Sequence, residues 1–264
     1  MEKTILTTVF SILLGTVAFS QSTRFLKRVE NNYSSDLVRL NGKPDGYFNL
    51  DSKTEVEKLF FGDINAGIEF YVSPSTEANY GFRILKKPSD GSYTLEVKRI
   101  SNWKEVETEL REEFPWQRAS ANRYISEDSS VRLAQHNQAM LAEREKERPK
   151  RYQVETESIP VTDSFAEKLH ERFVSSIDHF KGTGRPGKVL DGEETTFRCV
   201  VGDDVWTLTV SKTEGNILEL SDLCKRIVED AEAGRFDESK YINGMDWTCA
   251  FIMTELFANL TNMD

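Results

Sequence analysis

The chain has 264 residues, 38% of them hydrophobic and 11% aromatic, with 44 acidic against 34 basic side chains and a formal net charge of −10. That length and composition suit one large or two modest globular domains and exclude an intrinsically disordered chain. A pI near 5.0 excludes a nucleic-acid binder, because phosphate affinity needs clustered Lys and Arg, and it disfavours docking on anionic membranes.

Residues 1–20 have the layout of a secretory signal peptide. Glu2 and Lys3 form a charged head, Ile5 to Phe19 is apolar apart from Thr, Ser and Gly, and Ala18-Phe19-Ser20 places small residues at the −3 and −1 positions before Gln21. The apolar run is too short for a permanent span, no lipid-attachment cysteine follows it, and no second run reaches spanning length. The expectation is export to the periplasm or extracellular space, with no stable membrane insertion once the signal is removed.

Residues 21–50 read as a polar N-terminal arm rich in turn formers, with one strand at Asp36–Leu40. In 51–118, Ile68, Phe70 and Val72 alternate in a strand ended by Ser73-Pro74-Ser75. Phe82 and Ile84 mark a second strand, and Tyr93, Leu95 and Val97 a third. A helix follows, with Asn102 as its N-cap, Trp103, Val106, Leu110 and Phe114 on one face, and Pro115 as its stop. Residues 119–151 hold a polar linker helix, read from Ser129 to Arg148 and ended by Pro149.

In 152–264, Ser164-x-x-Glu167 forms a capping-box pattern before Phe165, Leu169, Phe173, Ile177 and Phe180 at helical spacing. Phe197, Cys199 and Val201, then Trp206, Leu208 and Val210, make a hairpin across Gly202-Asp203-Asp204. A helix capped by Asn216 carries Leu220, Leu223, Cys224, Ile227, Val228 and Ala231 on one face, with Gly234 at its end. A last helix, Met245 to Leu260, is apolar nearly all round. The pattern Phe-Arg, turn, aromatic-Thr-Leu-x-Val, helix occurs in both halves. It is either a degenerate repeat or the chance recurrence of a common hairpin–helix unit. The predicted fold is α+β: short antiparallel β-hairpins packed on helices, in two halves.

Chemical motifs are mostly excluded by their context. Gly182-Thr183-Gly184-Arg185-Pro186-Gly187 matches G-x-G-x-x-G, but a helix precedes it and a strand follows, the reverse of a dinucleotide site. His170-Glu171 lacks the second zincin histidine, since Val174 stands four residues on, and nine residues separate His170 from His179, which puts them on opposite helix faces. Ser101-x-x-Lys104 lacks the companion motifs of an acylating serine. Cys199, Cys224 and Cys249 match no zinc spacing and read either as buried thiols or as one disulfide with a free third. Asp203-Asp204 is the most local acidic pair, with an ordinary turn as the simpler reading. No catalytic, cofactor-binding or metal-ligating residue is singled out. Trp103 and Trp206 are expected in the core and Trp116 at the surface.

The leader before Gln21 is similar to export signals common in Bacteroidetes. The segments Thr196–Val201, Trp206-Thr207-Leu208, Asp222–Lys225 and Asp237–Tyr241, with Tyr80–Ile84, Tyr93–Lys98 and Ile100–Trp103, resemble uncharacterised secreted proteins of that group, which have no assigned activity. The resemblance covers about half of the chain after residue 20. It implies an extracytoplasmic α+β protein and carries no catalytic residues. Two function classes follow from the sequence. One is a non-catalytic module that binds a macromolecular partner of the envelope or extracellular space. The alternative is an extracytoplasmic hydrolase using acidic residues assembled by the fold.

Overall fold

The computed structural model describes residues 53–62, 66–118, 127–180, 192–202, 204–210, 213 and 215–245. Residues 1–52, with the signal, arm and Asp36–Leu40, lie outside them, as do the glycine motif at 182–187 and the last helix beyond Met245. The described elements, in chain order, are α1 (Glu55–Phe61), β1 (Ile68–Pro74), β2 (Tyr80–Lys86), β3 (Tyr93–Ile100), α2 (Trp103–Glu113), α3 (Glu127–Arg151), β4 (Val154–Val161), α4 (Asp163–Asp178), β5 (Glu193–Val201), β6 (Asp204–Val210), α5 (Gly215–Glu232) and α6 (Glu238–Met245). The fold is α+β, as the alternation and helical spacings imply.

All strands join one six-stranded sheet in the order β4-β3-β2-β1-β5-β6, every pair antiparallel. Strands from both sides of the 119–151 stretch are therefore neighbours, with β1 against β5 and β3 against β4. Because side chains alternate between faces, register builds two contrasting rows. Phe82, Phe70 and Phe197 stand opposite one another across β2, β1 and β5, with centroids 5.5 Å apart, and Phe173 of α4 closes on them at 6.5 and 5.9 Å. One residue along, Glu96, Arg83, Glu69 and Arg198 form a row of alternating charge on the other face. Gly81, paired with Tyr71, is required by close approach: a Cβ there would lie 2.1 Å from the Phe70 carbonyl oxygen.

The phenylalanine face is buried under α4 and α5. Phe165, Leu169, Phe173 and Ile177 of α4, and Ile217, Leu220, Cys224 and Ile227 of α5, recur at the three- and four-residue spacings that keep one helix face inward. The charged face is covered by α1 and α2 in a smaller cluster of Phe60, Phe61, Tyr71, Ile100, Val106, Leu110 and Tyr152.

Several local expectations are corrected. Asn102 is the N-cap residue of α2, as expected, but its side chain makes no cap hydrogen bond. Its amide bridges to the end of α3, donating to the Arg151 carbonyl and accepting from the Gln153 N–H. The cap of α4 is Thr162, which accepts from Phe165 N–H, so Ser164 lies inside the helix. Asn216 sits within α5 and donates to the Ser176 carbonyl of α4. Pro149 falls in the last turn of α3, where only the Glu145 carbonyl loses a donor, and the helix runs on to Arg151. Gly234 does end α5, with φ of 65°.

The helices do not follow a repeat of the two halves. Leu95 and Leu208 face the phenylalanine side, yet α2 packs on the opposite face and α5 on the same one. Two copies of one chiral unit would place both helices alike.

Candidate functional site

The charged face carries a cleft of about 490 Å³, within the range of ligand sites. Its walls come from four places: Thr54, Val56 and Glu57 of the α1 turn; Trp103 and Glu107 of α2; Glu145, Arg148 and Tyr152 at the end of α3; and Gly192, Glu193, Glu194 and Thr196 at the start of β5. The β1 end supplies the floor through Tyr71 and Ser73, with Asn79 beside them.

Each wall is fixed by charge as well as packing. Thr54 and Glu57 form a capping box on α1, with Glu57 N–H donating to the threonine hydroxyl at 3.1 Å and Thr54 N–H donating to the Glu57 carboxylate at 2.9 Å. Glu57 also takes an Arg198 guanidinium nitrogen at 3.1 Å, while Arg198 reaches Glu69 at 2.6 Å and Lys53 reaches Glu69 at 2.8 Å. These two cations and two carboxylates are buried together and tie α1 to the sheet. Burial draws the Lys53 ammonium below its usual range. At the other wall, Glu107 receives Arg148 Nε at 2.6 Å and the Tyr152 hydroxyl at 2.6 Å. Burial alone would raise the Glu107 carboxyl, but these two donors outweigh it and hold the group below the usual carboxylate range.

The floor has unspent hydrogen-bonding capacity. The Asn79 amide donates to the Tyr71 hydroxyl at 2.6 Å and to the Ser73 hydroxyl at 2.9 Å. Among the described residues, the Ser73 hydroxyl also bonds to the Tyr71 oxygen, nothing accepts the Tyr71 hydroxyl hydrogen, and nothing donates to the Asn79 carbonyl oxygen. Tyr71 and Asn79 are 6% and 8% exposed and both line the cleft, from which solvent or a ligand reaches their remaining capacity. Burial first, then the Glu57 charge, push the Tyr71 hydroxyl far above its usual value, and burial with the Glu107 hydrogen bond does the same for Tyr152.

Most residues weighed in the sequence fall elsewhere. Cys199 and Cys224 are unpaired and buried, and burial pushes the Cys199 thiol up to about 12. Cys249 and Asp203 lie outside the described residues, as does the Asp204 side chain. His170 Nε2 lies 2.7 Å from the Val200 carbonyl oxygen, so that nitrogen carries a proton and donates. His136 and His179 also face carbonyl oxygens, of Pro115 and Ser175. The Ser101 hydroxyl donates to the Gln153 carbonyl at 3.3 Å. Trp206 is buried in the core, and Trp116 is 55% exposed with Arg144 over its ring. Trp103, expected in the core, is partly buried and lines the cleft. Among the described residues, no group of His, Cys, Asp and Glu could hold a metal ion, and no helix is long and apolar enough to cross a membrane.

The cleft residues Glu57, Tyr71, Asn79, Glu107 and Tyr152 were not singled out from sequence. One signal was present, the Thr54-x-x-Glu57 capping pattern, which marks α1.

No family model, curated protein or solved structure matches the chain.

Proposed function

We propose that the protein is an exported, non-catalytic binding module of the cell envelope or extracellular space, and that the cleft on the charged face holds its ligand. The observation that carries this reading is the floor: two hydroxyls and an amide, pre-linked to one another by hydrogen bonds, line an open polar cavity. A preorganised polar floor beside aromatic side chains is what a binding site needs, because little ordering remains to be done when the ligand arrives.

Glu107 supports binding over hydrolysis. A glycosidase-type mechanism needs one carboxyl that keeps its proton near neutral pH. Glu107 is shifted the other way and is clamped by Arg148 and Tyr152, so it neither gives nor takes a proton there. Export rests on the pattern of residues 1–20.

The test is a pull-down of the purified protein against the envelope fraction and surface glycans of its source cell, with Trp103→Ala as the cleft control. Recovery of one intact ligand by the wild type and its loss in the variant is the expected result. Release of a cleaved product would place the protein among the hydrolases. N-terminal sequencing of the native protein should begin at Gln21, and a chain that retains Met1 would refute export through this signal.

A further inference from the structure

The two edges of the sheet are built differently. At one, β4 exposes Glu155, Thr156, Glu157 and Ser158 and carries Pro160, which has no N–H to offer, so charge and a missing donor discourage another strand. At the other, β6 runs Val205-Trp206-Thr207-Leu208-Thr209-Val210, with no charged side chain and no proline.

The direction of the β6 peptide groups follows from the register. On the β1 side of β5, the Gly192 carbonyl accepts from Ser75 N–H and Val200 N–H donates to the Gly67 carbonyl. Even-numbered residues of β5 therefore bond towards β1, and odd-numbered ones towards β6. Thr196, Arg198 and Val200 stand opposite Thr209, Thr207 and Val205. Those three residues of β6 consequently turn their N–H and C=O groups away from β5, to the outer edge. Among the described residues, no strand or loop pairs with them. Val205 and Thr207 are only 4% and 8% exposed, so water has little access to their peptide groups. Peptide groups both unpaired and withdrawn from water are rare. An uncharged edge that presents them is a template for one more strand.

The chain itself supplies that strand. Among the segments outside the described residues, the sequence marks a strand at Asp36–Leu40, whereas the last apolar segment has helical spacing and no free ladder to offer. The path is short. Lys53 reaches Glu69 of β1 at 2.8 Å, and Glu57 of α1 takes Arg198 of β5 at 3.1 Å. The arm thus joins the body over β1 and β5, about 14 Å from the position of a strand beyond β6, at about 4.8 Å per strand. Residues 41–52 span about 40 Å when extended, and Asn41-Gly42 and Lys43-Pro44-Asp45-Gly46 let the chain turn on the way. In a strand, Val38 and Leu40 fall on one face and Arg39 on the other, which suits a sheet with one apolar and one charged face.

We propose that Asp36–Leu40 adds to the outer edge of β6 as a seventh strand of the sheet, within the same chain. The inference stands apart from the reading of the cleft.

Residue-resolved hydrogen exchange by NMR, on the protein from Gln21 onward, tests it. The amides of Val205, Thr207 and Thr209 should be protected like those of Trp206 and Leu208, which face β5, and nuclear Overhauser contacts should join residues 36–40 to 205–209. Val38→Pro removes a donor and disfavours the ladder. It should speed exchange of the three outward amides about tenfold, the worth of one hydrogen bond each, and leave Trp206 and Leu208 unchanged. Glu30→Pro, upstream of the strand, should change none of them. If Val38→Pro loosens all five amides alike, the variant has unfolded, and the contacts in the wild type decide. Outward amides that exchange freely in the wild type overturn the proposal, as does protection with no contact to the arm. Protection that grows with protein concentration, with a doubled mass in light scattering, gives the edge to a second copy and also overturns it.

Discussion

The two faces of the sheet differ by a single residue step and do opposite work. On one, Phe82, Phe70 and Phe197 lie side by side and α4 and α5 close over them, so that the row is fully buried. On the other, Arg83, Glu69 and Arg198 occupy the neighbouring register positions, and the covering helices α1 and α2 are shorter, with seven and eleven residues. A charged row can be buried only where each ion finds a partner. So α1 is pinned at Glu57 and Lys53, and where the cover ends a polar cavity opens. One face supplies stability, and the other trades apolar burial for a polar cleft.

That contrast sets an order of effects. Phe197→Ala removes a ring that touches both Phe70 and Phe173, and should lower unfolding stability by about 4 kcal/mol in denaturant titration. A loss below about 2 kcal/mol would mean that the core is looser than its burial implies. Arg198→Met breaks the buried quartet, leaving Glu57 without a cation and Glu69 with Lys53 alone, for a loss of about 3 kcal/mol. Neutralising the whole group with Lys53→Met/Glu57→Gln/Glu69→Gln/Arg198→Met should recover about half of that loss, because no charge is left uncompensated. Failure of the quadruple variant to exceed the single one would show that the ions themselves, and not their balance, hold α1.

Glu107→Gln should cost about 2 kcal/mol near neutral pH, and the cost should depend on pH. A carboxyl held below its unfolded value, about 4.3, contributes fully above that value, and its contribution is lost as pH falls through the lower folded-state value. The gap between wild type and variant should therefore close in acid, and a gap that widens there would contradict the Arg148–Glu107–Tyr152 arrangement. Smallest is Tyr71→Phe, about 1 kcal/mol, since it removes one hydroxyl from the floor and leaves the ring packed on Phe60. Its effect on ligand affinity should exceed its effect on stability.

The apolar face was open to reading because its signal is periodic: Ile68, Phe70 and Val72, then Leu95 and Val97, alternate cleanly, and Phe165 to Ile177 repeat at helical spacing. Strand β4 carried no such signal. Only Ile159 and Val161 of Val154–Val161 pack on the main core, and four consecutive residues from Glu155 to Ser158 are exposed at the sheet edge. Helix α1 is two turns long, too short for periodicity to separate it from a loop. The cleft was hidden for a different reason. Its members run from Thr54 to Thr196, each an ordinary Glu, Tyr, Ser or Asn in its local segment, and only register and helix docking bring them together. Buried charge is equally silent, since Glu69 and Arg198 read as outward strand positions until α1 is placed over them.

The central claim is that the charged face holds a binding cleft and leaves its ligand unchanged. Hydrogen exchange of the protein, free and saturated with its recovered ligand, tests this directly. The expected result is added protection at residues 71–79, 103–107, 145–152 and 193–196, with the ligand's mass unaltered. Protection confined to α4 and α5, or a ligand returned in pieces, would contradict it.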